Sequence, residues 1–112
     1  MADLDLPEPD ALAAAVQDEN GTVVIRLSGD LDMTGVTQAR AAIDAALASQ
    51  PGRIILDVST LEYMDSSGIA LLVLVTRMAP EVRIRNPTPI VRQLIEMTGL
   101  SGILQITDAD QP

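Results

Sequence analysis

The chain has 112 residues, 47% of them hydrophobic, and a formal net charge of −9; that length fits one domain, and burying about two-thirds of the unfolded surface gives it one core. All seven cationic side chains are Arg, and Lys, His and Cys are missing, which removes disulfides, thiolate chemistry, Cys-based zinc sites and the usual proton shuttles near pH 7. A surface this acidic repels nucleic-acid backbones and anionic lipid, and Tyr63, the single aromatic, offers no platform for stacked bases.

Residues 1–10 carry two prolines and four acids. They read as a flexible acidic lead-in, with no basic region before an apolar one and so no signal peptide. Ala11 to Val16 is a weak first strand, followed by Asn20-Gly21, a strong two-residue hairpin signal. Thr22 to Leu27 is β-branched and apolar, the mark of a strand. Ser28 to Asp32 reads as a loop into a helix that Thr34 caps. Val36, Ala39, Ile43 and Leu47 then recur at spacings of three and four, one apolar stripe of a helix, and Pro51-Gly52 closes the element.

Arg53 to Val58 has a near-continuous apolar run, as a buried strand does. After a gap, Asp65-Ser66-Ser67-Gly68 opens a helix whose body, Ile69 to Met78, is apolar almost all round; Pro80 stops it. Its run Ile69–Val75 is far short of the roughly 20 apolar residues that span a bilayer. Val82 to Arg85 alternates apolar and charged, a half-exposed strand with Arg83 and Arg85 on one face. Ile90, Leu94 and Met97 mark a last amphipathic helix, which Gly99 ends as a left-handed cap. Ile103 to Ile106 is a short strand or turn. The pattern predicts an α/β protein: a single mixed β-sheet of four to five strands with helices packed on it. The domain spans 11–107, and 108–112 is a loose tail.

The chemistry concentrates where the middle helix begins. A helix N-terminus presents unpaired N–H groups and partial positive charge, a natural place for an anion. Asp65 fits an ordinary N-cap worth about 1 kcal/mol; the same tetrapeptide, with two hydroxyls and a glycine, also fits a place where an anion such as phosphate is held. Gly68, without a side chain, leaves room for a partner backbone or a phosphate to approach. Asp32 is either a solvated loop acid or part of that site, and Asp30 is structural or exposed.

Asp65-Ser66-Ser67-Gly68, preceded by Leu61-Glu62-Tyr63-Met64 and a strand reading Ile-Ile-Leu-Asp-Val, resembles the signature of STAS domains. Leu27 to Asp32 resembles the family's loop after the second strand, Asn86 to Val91 the start of its last helix, and Met97 to Leu100 the end of that helix. The resemblance runs from about Ala11 to Ile106. The family usually has a longer segment between the middle helix and the next strand; here Ala79-Pro80-Glu81 fills the gap, which shortens that helix by about a turn.

The resemblance to the bacterial anti-sigma factor antagonists of this family implies a cytoplasmic switch protein, not an enzyme, with no cofactor and no metal. It implies phosphorylation on Ser66, with Asp32, Asp65, Ser67 and Gly68 around the phosphosite and in the partner-binding surface. The implied partner is an anti-sigma factor, commonly a GHKL-type serine kinase, which binds the unphosphorylated form and releases the phosphorylated one; the resemblance also allows a serine phosphatase, and no direct contact with nucleic acid or membrane. STAS domains also serve as docking subunits of transporter or stress-signalling complexes without phospho-switching, and this alternative stays open. Gly-x-Ser-x-Gly and a Gly-rich phosphate loop are absent, which argues against a hydrolase and a nucleotide-binding domain.

Overall fold

The computed structural model describes residues 11–108; the acidic lead-in at 1–10 and the tail from 109 onward lie outside the described residues. The elements are β1 (Ala13–Glu19), β2 (Thr22–Leu31), α1 (Gly35–Leu47), β3 (Arg53–Met64), α2 (Ser66–Val75), β4 (Glu81–Arg85), α3 (Pro89–Met97) and β5 (Ile106–Thr107). They form one five-stranded sheet in the order β1-β2-β3-β4-β5. β1 runs antiparallel to β2, and the other pairings are parallel. The expected mixed sheet is present, with three helices.

The opening hairpin follows from Asn20 and Gly21, whose φ angles are 54° and 85°. Two positive φ values in a two-residue loop give the twist that matches flanking strands. From β2 onward each strand steps to the next position in the same direction. Right-handed crossovers then place all three helices on one face. The alternation agrees: Val23, Ile25 and Leu27 of β2, Ile54, Leu56 and Val58 of β3, and Val82 and Ile84 of β4 join the core with Ala39, Ile43, Leu72, Val75, Val91 and Ile95 of the helices.

Four local expectations are corrected. Ser28 to Leu31 is not a loop: β2 continues to Leu31, with register shifts against β3 between Arg26 and Ser28 and between Gly29 and Asp30. β3 likewise continues past Val58 to Met64, so no gap precedes the middle helix. Hydroxyls hold the irregular stretch together. Ser28 Oγ lies 2.8 Å from Thr60 Oγ1, and Thr60 Oγ1 donates to the Leu27 carbonyl at 3.1 Å. Thr34 makes no side-chain cap on α1; Asp32 supplies it instead, as shown below.

The fourth correction concerns α3. Its buried residues are Val91 and Ile95, whereas Ile90 and Met97 of the expected stripe are exposed. Both sets satisfy helical spacing, and contact with the sheet selects one. At α2 the helix ends at Val75, well before Pro80, and it presents Ala70 and Leu74 to solvent despite its apolar composition. Gly99 does take the left-handed conformation, at φ 75°, and its N–H donates to the Glu96 carbonyl.

Candidate functional site

Two parallel strands end side by side at the site. Leu31 of β2 and Met64 of β3 are register partners. The next residue of each strand is an aspartate, and each caps the following helix. Asp32 Oδ1 accepts from the N–H groups of Thr34 at 3.0 Å and Gly35 at 2.8 Å. Asp65 Oδ1 accepts from those of Ser67 at 2.8 Å and Gly68 at 3.3 Å. The Asp65 N–H in turn donates to the Leu31 carbonyl at 3.4 Å, which ties the two strand ends together. The register thus brings the N-termini of α1 and α2 to one end of the sheet, each closed by a carboxylate.

Ser66 is the first residue of α2 and is exposed; Ser67 behind it is half-buried. Gly68 is buried, and its position differs from the expected one. A Cβ built on it would lie 2.5 Å from Met64 Cγ, 2.7 Å from the Leu31 carbonyl oxygen and 3.0 Å from Leu31 Cγ. The room made by this glycine is therefore filled by the chain's own strands, not left for a partner. Asp30 is half-buried, opposite Tyr63 in the register.

Two large side chains beside the aspartates received no site role from the sequence: Met33, directly after Asp32, is 77% exposed, and Tyr63, two residues before Asp65, is 49% exposed. Their signal was a large apolar residue next to a capping acid, where solvent-facing polarity is the rule. A cavity of about 390 Å³ adjoins the α1 end of the site, with Asp32, Thr34 and Gly35 in its wall. Among the described residues, no group of three or more His, Cys, Asp or Glu side chains converges as a metal site would, and no helix is long and apolar enough to cross a membrane.

Asp57 also went unnoticed as an interacting residue. It lies on the helix-free side of β3 with its side chain 5% exposed, in ion pairs with Arg26 and Arg85. Burial works to raise its carboxyl, but the Ser59 hydroxyl and amide, helped by Arg85 and Arg26, hold it below the usual carboxylate value. Arg83 and Arg85, expected on one face of a half-exposed strand, are half-buried there and ion-paired to Glu81 and Asp57.

The fold that carries these strand ends is shared with known proteins. The family described as "Mlab, STAS domain" matches residues 14–106. The chain belongs to the STAS domain family. It is 30% identical over 102 residues to an anti-sigma F factor antagonist of Paenibacillus polymyxa, covering 87% of each chain. It is 39% identical over 84 residues to another from Lysinibacillus sphaericus, covering 70% of this chain and 72% of that one. Among solved structures, an anti-sigma factor antagonist from Mycobacterium paratuberculosis superposes with a TM-score of 0.81 at 27% identity, covering 90% of this chain and 89% of that one. The antagonist SpoIIAA superposes in its unphosphorylated form with a TM-score of 0.74 at 34% identity, covering 88% and 90%. Bacillus SpoIIAA in its phosphorylated form does so with a TM-score of 0.68 at 32% identity, covering 88% and 93%. These relatives are regulatory binding proteins.

Proposed function

We propose that this chain is a cytoplasmic anti-sigma factor antagonist whose binding surface is the end of the sheet around Ser66. Unphosphorylated, it binds an anti-sigma factor; phosphorylated on Ser66 by a GHKL-type serine kinase, it lets go. A serine phosphatase would reset it. The observation that supports this reading most is the exposed hydroxyl of Ser66 at the first position of α2, beside the capping carboxylate of Asp65. The phosphorylated and unphosphorylated forms of SpoIIAA, a structure this chain resembles, point the same way.

The physics needs no refolding. Phosphate adds about −1.5 to −2 charges at neutral pH. A like charge about 5 Å away costs roughly 3 kcal/mol at an effective dielectric near 20, before screening. A partner that covers the site also strips water from that charge. A loss of about 3–4 kcal/mol corresponds to several-hundred-fold weaker binding.

The test uses the purified chain and an anti-sigma factor from the same organism, followed by calorimetry. Ser66→Ala retains the affinity of the unphosphorylated protein and takes no phosphate from the kinase; Ser66→Asp binds more weakly. Phosphate appearing on Ser67, or equal affinity of the phosphorylated and unphosphorylated chains, overturns the assignment. The docking-subunit alternative predicts that second result, with binding indifferent to charge at Ser66.

A further inference from the structure

The helix-free face of the sheet has a charge balance unlike the rest of the molecule. Four of the seven Arg residues lie there: Arg26 on β2, Arg53 on β3, and Arg83 and Arg85 on β4. The register sets Arg26, Asp57 and Arg85 in one row across three strands. Two acids serve the four guanidiniums. Glu81 Oε2 is 3.2 Å from Arg53 Nε and 3.1 Å from Arg83 Nε. Asp57 Oδ2 is 3.6 Å from Arg26 and 3.4 Å from Arg85. The other oxygen of Asp57 is occupied by Ser59, whose N–H and O–H donate to it at 3.0 and 2.7 Å. One carboxylate oxygen thus stands between two guanidiniums, each carrying five N–H donors.

A cavity of about 210 Å³ opens at this pair, lined by Ala15, Gln17, Val24, Arg26 and Arg85. Its apolar lining is Ala15 and Val24, and its polar lining is two cations and a side-chain amide. A water takes up about 30 Å³, so the space holds a phosphate-sized group but falls below the roughly 300–1,000 Å³ of drug-sized pockets. On a chain of net charge −9, this is where an anion meets local attraction instead of repulsion.

We propose that this cavity is an oxyanion site: Arg26 and Arg85 hold a small dianion of the phosphate or dicarboxylate class, with the Gln17 amide as a further donor. Planar guanidiniums suit both ligands because each offers paired N–H groups to paired oxygens. Asp57 orients the two guanidiniums and competes with the ligand for them. The site lies on a different face from Ser66 and does not depend on the phospho-switch.

The test titrates the full chain with sodium phosphate and, separately, with sodium succinate, against potassium chloride at matched ionic strength. The readout is the NMR signals of the Arg side-chain Nε–H groups and the Gln17 amide. Saturable shifts at Arg26, Arg85 and Gln17 with either dianion are expected, and the stronger of the two identifies the ligand class. Arg26→Gln and Arg85→Gln each weaken binding about tenfold or more. Arg40→Gln, on the exposed side of α1, leaves it unchanged. Asp57→Asn strengthens binding by removing the competing carboxylate; should that variant unfold, the two Arg variants decide. Shifts that never saturate, that chloride reproduces, or that Arg40→Gln reduces as much as Arg85→Gln does, overturn the proposal.

Discussion

Replacing Gly68 by Ala tests how the candidate site is held in place. In most helices this change is favourable by about 1 kcal/mol, because Ala restricts the unfolded chain and suits a helix. Here the added methyl would meet the Leu31 carbonyl oxygen at 2.7 Å and Met64 Cγ at 2.5 Å. Met64 can shift its side chain. The Leu31 oxygen is backbone in a paired strand and also accepts from Asp65, so the helix must move away instead. Overpacking of this kind costs about 1–3 kcal/mol, and a rigid backbone oxygen places it at the upper end. Set against the helix gain, the net loss is about 1–2 kcal/mol. For a domain of about 100 residues that lowers the melting temperature by roughly 5–15 °C. Thermal unfolding by circular dichroism measures it directly. A melting temperature equal to or above that of the unsubstituted chain would refute the close packing of α2 on β2 and β3.

Other outcomes follow from single contacts. Asp65→Ala and Asp32→Ala each remove a side-chain cap and should lower stability by about 1 kcal/mol in denaturant unfolding; Thr34→Ala, which caps nothing, should be near neutral. Ile95→Ala, at a fully buried position, should cost about 2–5 kcal/mol, while Met97→Gln on the exposed face should stay within about 0.5 kcal/mol; the reverse order would place α3 in the wrong rotation. Asp57 is held lower in the folded chain than in the unfolded one, so its folded form binds fewer protons. Its stabilising contribution is complete above the ordinary value of 3.8 and is lost as pH falls below that value through the lowered folded one. Asp57→Asn should therefore flatten the acid side of the stability–pH curve and leave its slope above about pH 5 unchanged.

The parts of the fold that local chemistry decides were legible in the sequence. Asn20-Gly21 announced its hairpin because few residues tolerate two positive φ angles in succession. The β-branched and apolar runs at 22–27 and 53–58 and the alternation at 82–85 marked the strands. Neighbouring chain decided the rest. Ser28, Ser59 and Thr60 look like loop residues, yet they sit in strands because β2 and β3 pair past a register shift and their hydroxyls find partners there: the Leu27 carbonyl for Thr60, Thr60 for Ser28 and Asp57 for Ser59. In α3, Ile90 and Met97 compete with Val91 and Ile95, and no spacing rule ranks two apolar sides of one helix. Ser66, Asp65 and Asp32 were found through a family pattern; that Leu31 and Met64 pair, and so set the two acids at adjoining strand ends, needed the register. Gly68 drew a functional reading from its place in the motif, while its cause is packing.

That packing also bears on how the proposed switch would act. The N–H groups of Ser67 and Gly68 at the start of α2 are already taken by Asp65, and those of Thr34 and Gly35 at the start of α1 by Asp32. A phosphate on Ser66 would therefore meet a helix end where two of the first-turn N–H groups are engaged by a resident carboxylate. The helix dipole, worth about 0.3–1 kcal/mol at an exposed terminus, would be largely spent on those acids. Little of the added charge would be neutralised within the domain, and most of it would face outward. On this reasoning the capping acids serve the switch as well as the fold: they let a modest modification repel a partner without moving the backbone. Asp65→Asn removes one resident charge and keeps an oxygen for the cap. It should narrow the gap in partner affinity between phosphorylated and unphosphorylated chains by several-fold, measured by calorimetry on both forms. An unchanged gap would mean that Asp65 acts on α2 alone and has no electrostatic share in release.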